Sequence, residues 1–178
     1  MTKRKVILYI ATSLDGYIAD NKGGIEWLST NAVDNQPDTS YENFYKTIDT
    51  VIMGRTTFDQ VTTELSPDDY PYADSTSYVL TSREGIQREN VIYTSENVST
   101  LVSNLKNQSG GDIFIVGGAS IVQPLIKENL IDEYQLAIIP TLLGEGTSLF
   151  GKLDSSVELT AVSAKVVNNI VYHTYLKK

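Results

Sequence analysis

Ile113-Phe-Ile-Val-Gly-Gly-Ala-Ser120 decides the fold. Four apolar residues form a buried strand, a glycine pair ends it, and a helix-forming segment starts at once. Such a turn aims free backbone N–H groups past the strand end, which suits the pyrophosphate of a dinucleotide. The missing side chains of Gly117 and Gly118 let a phosphate approach the backbone, with Ala119, Ser120 and Ile121 supplying donors. A tight turn made only for close packing reads equally well from these residues alone. The motif is neither G-x-G-x-x-G nor a P-loop, since no Gly-Lys-Ser/Thr follows.

Two further segments give the glycine pair its weight. Val51-Ile-Met-Gly-Arg-Thr-Thr-Phe58 and Tyr78-Val-Leu-Thr-Ser-Arg83 are also apolar strands that end in small, hydroxylated and basic residues. Gly54, Arg55, Thr56 and Thr57 bring a guanidinium and two hydroxyls to a strand end that opens a helix. The planar fork of Arg55 suits a phosphate, and Thr56 or Thr57 can cap the helix. Thr81, Ser82 and Arg83 repeat that chemistry and suit the 2′-phosphate that separates NADPH from NADH, or else form an exposed turn. Three such ends in one domain make a nucleotide site the leading expectation.

Val6 to Ala11 is a continuous apolar strand of the kind covered on both faces. Asp15-Gly16 turns the chain and Tyr17 to Ala19 is extended. Residues 29–40, rich in Ser, Thr, Asn and Asp, form a long surface loop of the length that tends to carry function. Helices are expected over 41–47 with Ser40 as N-cap, over 57–63 and 98–107, and from the glycine pair to about Glu128. Strands are expected over 50–53, 77–81, 91–93 and 135–140. Pro124 either kinks the last helix or sits close to its start. Asn168-Asn169 interrupts an alternating tail and suits a two-residue hairpin turn with positive φ. The pattern implies an α/β fold with a mainly parallel sheet and an antiparallel edge, in a single domain spanning 1–178.

Composition narrows the function classes. Apolar residues at 41 % with charged residues at 20 % exclude a disordered chain. A net charge of −8 repels polyanions and disfavours nucleic acid and anionic membranes as partners. The absence of cysteine removes disulfides, thiolate zinc sites and thiol nucleophiles, and fits a cytoplasmic location. The apolar run behind the basic start, Val6 to Ala11, is too short for a signal peptide or a membrane span. His173, the one histidine, has no triad or metal-ligand context.

Candidate substrate groups follow the first strand. Ser13 and Asp15 lie just beyond it, where a carboxylate can orient a substrate, although Asp-Gly is also a good turn pair. Trp27 is either a core or loop anchor or the lid of a pocket for a planar ring. Tyr41, Phe44 and Tyr45 share one helical face, with core packing the better account of Phe44.

As a set, the three strand ends resemble the dihydrofolate-reductase superfamily: Gly-Arg-Thr-Thr at 54–57 its Gly-Arg-x-Thr cofactor motif, Leu-Thr-Ser-Arg at 80–83 its adenosine-phosphate strand end, and Ile-Val-Gly-Gly at 115–118 its glycine pair. Ser-Leu-Asp-Gly-Tyr-Ile-Ala at 13–19, Glu-Trp-Leu-Ser at 26–29, Leu-Ile-Asp-Glu-Tyr at 130–134 and Pro-Thr-Leu-Leu-Gly-Glu-Gly at 140–146 are similar to the reductase domain of the bifunctional riboflavin-biosynthesis deaminase-reductase. The resemblance implies a dihydrofolate-reductase-like three-layer sandwich that acts as a homodimer. It implies an NADPH-dependent reductase without deaminase activity, similar to 5-amino-6-(5-phosphoribosylamino)uracil reductase, passing hydride to a pyrimidine or pterin-like ring. Dihydrofolate reduction and a non-catalytic nucleotide-binding dimer are the alternatives.

On that resemblance Val116 to Ile121 cradle the pyrophosphate, while Gly54 to Thr57 and Thr81 to Arg83 hold the adenosine phosphates. Ala11 and Ile18 flank the nicotinamide; Ser13, Trp27, Tyr41 and Tyr45 face substrate; Asp15 orients the reacting ring or its proton-relaying water. The departures are specific. Val116 stands where riboflavin reductases typically carry an acid, and Lys46 is the only cation between Glu26 and Met53. Asn31, Ala32 and Val33 occupy the neighbourhood of the pterin-binding acid of dihydrofolate reductases, leaving Glu26, Asp34 or Asp15 as substitutes.

Overall fold

The computed structural model describes residues 3–29 and 37–178. The expectations for the 29–40 loop, including Asn31 to Asp34, fall largely outside these residues. An eight-stranded sheet forms the centre, in the order β5-β4-β3-β6-β1-β7-β10-β9. Its strands are β1 (Val6–Ser13), β3 (Ile48–Gly54), β4 (Thr76–Leu80), β5 (Val91–Thr94), β6 (Asp112–Gly117), β7 (Glu133–Ile139), β9 (Leu159–Val167) and β10 (Ile170–Lys177). The first six in this order pair in parallel, and the C-terminal hairpin β9–β10 adds the antiparallel edge. A separate ribbon pairs β2 (Tyr17–Ala19) with β8 (Thr147–Ser148).

Strand alternation explains the layers. Val6 and Leu8 face one side of β1 and Ile7 the other, so β1 is buried on both faces between β6 and β7. On the first side, α3 (Val98–Lys106) and α4 (Ala119–Lys127) bring Leu101, Val102, Leu105, Val122 and Leu125 onto Val6, Leu8, Ile113 and Ile115. On the second, α1 (Ser40–Tyr45) and α2 (Arg55–Gln60) bring Phe44 and Phe58 onto Ile7, Val51, Met53 and Phe114. This is the expected three-layer α/β architecture. At the N-terminal edge of the sheet the buried Arg4 ties three strands together. Its Nε donates to the Gly111 carbonyl at 2.6 Å and its Nη2 donates to Thr50 Oγ1 at 2.7 Å and to the Asp49 carboxylate. Asp49 in turn accepts the Gly111 N–H at 2.6 Å.

Element ends depart from the sequence expectation where side chains compete for the cap. Ser40 is the first residue of α1 rather than its N-cap, because the Asp38 carboxylate accepts the Ser40 N–H at 2.9 Å. Neither Thr56 nor Thr57 caps α2: the helix starts at Arg55, and its N-cap is Gly54 without a side-chain bond. The helix then continues beyond Gln60 as a π-helical turn over Val61–Leu65, closed by Ser66 N–H to the Val61 carbonyl at 2.9 Å. Pro124 lies well inside α4, where it has no N–H to return to the Ser120 carbonyl. Asn168 and Asn169 form the hairpin turn with φ of 50° and 64°.

Candidate functional site

Two helices leave adjacent strand ends in opposite directions. Gly54 ends β3 and Gly117 ends β6, and the strands are neighbours with Met53 beside Gly117. α2 follows β3 onto one face of the sheet, and α4 follows β6 onto the other. Such a reversal opens a crevice beyond the carboxyl ends of the strands, the place where open α/β sheets bind ligands. Here it holds a cavity of about 650 Å³, within the range of small-molecule sites.

Most of the expected cofactor residues line it: Ala11 and Ile18 from the β1–β2 region, Gly54, Arg55, Thr56 and Thr57 at the start of α2, and Val116, Gly118, Ala119, Ser120 and Ile121 around the start of α4. Gly117 joins Gly118 through a cis peptide bond and has φ of 124°, a backbone conformation that favours glycine. A Cβ on Gly118 would meet Thr57 Oγ1 at 3.7 Å and Ile18 Cδ1 at 4.0 Å. The glycine therefore leaves open a gap about one methyl group wide. Within α4 the Ile121 and Val122 N–H groups return to the Gly118 carbonyl at 3.0 and 3.1 Å, so the Ala119 and Ser120 N–H groups have no acceptor in the helix. Arg55 is the one cation among the described lining residues; its Nε pairs with Asp59 at 2.7 Å, and its Nη1 donates to the Glu84 carbonyl at 3.3 Å.

Thr81, Ser82 and Arg83 do not line the cavity. They follow Leu80, which does, and Ser82 and Arg83 are exposed. The Thr81 hydroxyl accepts the Arg83 N–H at 3.1 Å, forming a local turn.

The expected substrate residues are placed differently. Asp15 is turned away from the cavity to hold the segment before β8: it accepts the Leu143 and Gly144 N–H groups at 3.1 and 2.8 Å and the Ser13 hydroxyl at 2.6 Å. The Ser13 hydroxyl, followed by these two amides, holds the Asp15 carboxyl below its ordinary range. Ser13 is buried and also accepts the Tyr17 N–H at 2.9 Å, so its hydroxyl is spent on the turn. Trp27 is buried and its Nε1 donates to the Gly24 carbonyl at 3.3 Å; it is its neighbours Ile25 and Leu28 that line the cavity. Tyr41 and Tyr45 stack on each other at 6.0 Å within the aromatic layer under α1, one residue layer behind the wall.

Sequence reasoning missed the rest of the lining. Gln60 reaches the cavity from the end of α2, Val61 and Leu65 reach it through the π turn, and Tyr72 reaches it from the loop before β4. Gln60 Nε2 donates to the Gly23 carbonyl at 3.2 Å, linking α2 to the β2 loop across the mouth. The pair Val61 and Leu65 was visible as an i, i+4 apolar repeat; nothing local marked Tyr72. Arg55 and Tyr72 are the ionisable side chains among the described lining residues. No cluster of three metal-ligating side chains occurs among the described residues, and none of their helices is long and apolar enough to cross a membrane.

A mostly parallel eight-stranded sheet, its closing antiparallel hairpin and a crevice at the β3–β6 strand ends define a dihydrofolate-reductase-like α/β protein. Residues 4–172 match the family model described as the RibD C-terminal domain, and the chain belongs to that family. It is 39% identical over 176 residues to the uncharacterized protein YwjB of Bacillus subtilis (strain 168), covering 98% of this chain and 99% of that one. A Shewanella sp. PV-4 protein provisionally assigned to riboflavin biosynthesis has the same fold with a TM-score of 0.85, at 33% identity over 98% of this chain and 99% of its own. Dihydrofolate reductase from Enterococcus faecalis, complexed with NADP(H), superposes with a TM-score of 0.65 at 25% identity, covering 97% of this chain and 96% of that one.

Proposed function

We infer that the protein is an NADPH-dependent reductase of the RibD type, acting on a pyrimidine or pteridine-like ring. The observation that carries this reading is the open gap at Gly118, facing Thr57 and Ile18 beside the unused N–H groups of Ala119 and Ser120. Its donor chemistry fits a pyrophosphate, since backbone N–H groups at a helix start bind anions. Bound there, NADPH supplies the hydride.

The chain's own residues then do the rest. Ala119 and Ser120 donate to the pyrophosphate, and Thr56, Thr57 and Arg55 hold the adjoining phosphate oxygens. Ser82 and Arg83, exposed just beyond the rim, meet the 2′-phosphate and set preference for NADPH over NADH. Ala11, Ile18 and Val116 are short or branched apolar groups that confine a flat ring and exclude water from it. Asp15 keeps the 143–144 backbone in place rather than contacting the reacting ring.

The same reading makes the protein a cytoplasmic homodimer that uses its C-terminal hairpin: β9 is exposed along nearly its whole length, with Val162 at 56% and Val166 at 69%. Titrating NADPH and NADH separately, with Trp27 emission and energy transfer to the nicotinamide as readout, tests the cofactor. Saturable binding with a preference for NADPH is expected. Binding of neither, checked by calorimetry, would refute the reductase.

A further inference from the structure

Tyr72 sits where the cavity meets the second apolar core. Its ring packs on Phe114 at 6.0 Å, Tyr70 at 5.5 Å and Tyr45 at 6.2 Å, and the residue is only 7% exposed. Packing alone would be served by phenylalanine, and a buried hydroxyl without a partner is costly. Tyr41 lies beside it, and Tyr72 lines the cavity, so a molecule held there is the partner its hydroxyl can meet.

A phenol has one hydrogen to give and two lone pairs, so the Tyr72 hydroxyl can serve a donor or an acceptor at the same spot by turning. Burial keeps Tyr72 a neutral phenol throughout the physiological range. The lining residues nearest in kind are apolar: Ile25, Leu28, Val61 and Leu65.

We propose that Tyr72 is the substrate-orienting residue of this cavity, hydrogen-bonding the polar edge of an uncharged flat heterocycle held against Ile25, Leu28, Val61 and Leu65. A ring edge that alternates C=O and N–H groups matches a hydroxyl that can donate or accept. The inference rests on the reading that the same cavity takes the nicotinamide cofactor, and it assigns the part of the cavity which that cofactor leaves to substrate.

The probes are lumazine, an uncharged pteridine with such an edge, and naphthalene, a ring of similar outline with none. Dissociation constants for both and for NADPH are measured by calorimetry on the wild type, Tyr72→Phe and Tyr41→Phe. Expected is lumazine binding weakened about 10-fold by Tyr72→Phe and less by Tyr41→Phe, with naphthalene and NADPH affinities within twofold of wild type. Unchanged lumazine affinity in Tyr72→Phe would overturn the proposal. So would an equal loss for naphthalene, which marks a packing role, or a wild type that does not bind lumazine at all. Failure of NADPH to bind the wild type refutes the cofactor reading instead, while a selective lumazine loss in Tyr72→Phe would still uphold the role of Tyr72.

Discussion

Gly118→Ala separates a phosphate cradle from a packing turn. Gly118 has φ of −82°, which an L-residue adopts freely, and the added methyl makes ordinary contacts at 3.7 Å with Thr57 Oγ1 and 4.0 Å with Ile18 Cδ1. The folded protein can therefore accept the methyl without a clash. What changes is the gap, which the methyl fills. A pyrophosphate pushed outward by a methyl group loses at least one of its bonds from the Ala119 and Ser120 N–H groups. A hydrogen bond to a charged group contributes about 1.5–3 kcal/mol, so NADPH should bind about 10- to 150-fold more weakly. Calorimetric titration gives the affinity, and thermal unfolding checks that the midpoint stays within about 3 °C of wild type, roughly 1 kcal/mol. Wild-type NADPH affinity in a folded Gly118→Ala variant would refute the cradle and leave the glycine as a turn.

Three other outcomes follow from contacts described above. Asp49→Ala removes two bonds to Arg4 and Gly111 and leaves a buried guanidinium short of its counter-charge; because Asp49 is 45% exposed, the loss falls at the low end, about 2 kcal/mol. That should lower the thermal midpoint by about 4–8 °C. The Asp15 carboxyl is held below its unfolded value of about 3.9, so its stabilisation of the 141–146 loop is complete above that value and is lost as pH falls through the lowered one. Hydrogen exchange at the Leu143 and Gly144 amides should rise on acidification below about pH 4, and at neutral pH in Asp15→Ala. Val166→Asp, on the exposed face of β9, should convert a dimer to a monomer in a mass measurement at micromolar concentration without lowering NADPH affinity; a monomeric wild type would refute the dimer.

The cavity wall at the β3 and β6 strand ends was legible because its signals are local. In 51–57 and 113–121 a strand, a glycine and a helix start are contiguous, and contiguity is what sequence preserves. The rest of the lining was not. Tyr72, Leu28 and Leu65 reach one cavity from three separated segments, and the π turn that brings Val61 and Leu65 into line has no composition of its own. Asp15 shows the limit from the other side. Its position after β1 was read correctly, but its direction depends on two amides about 128 residues away. Trp27 is similar: the position is near the cavity, yet the indole turns back to Gly24 while its neighbours face the ligand space.

The central place of β1 also fixes a timetable for biosynthesis. Its partners in the sheet are Ile113 to Ile115 on one side and Glu133 to Ile139 on the other, so the apolar segment of β1 leaves the ribosome more than a hundred residues ahead of both strands that flank it. At ordinary translation speed that lead is on the order of ten seconds. During it Val6, Ile7 and Leu8 have no native neighbour, and a nascent chain stalled before β6 cannot build its own sheet centre. The centre of the sheet therefore closes only once β7 has emerged, and truncations anywhere upstream of β7 should emerge as clients of chaperones rather than as smaller folded units.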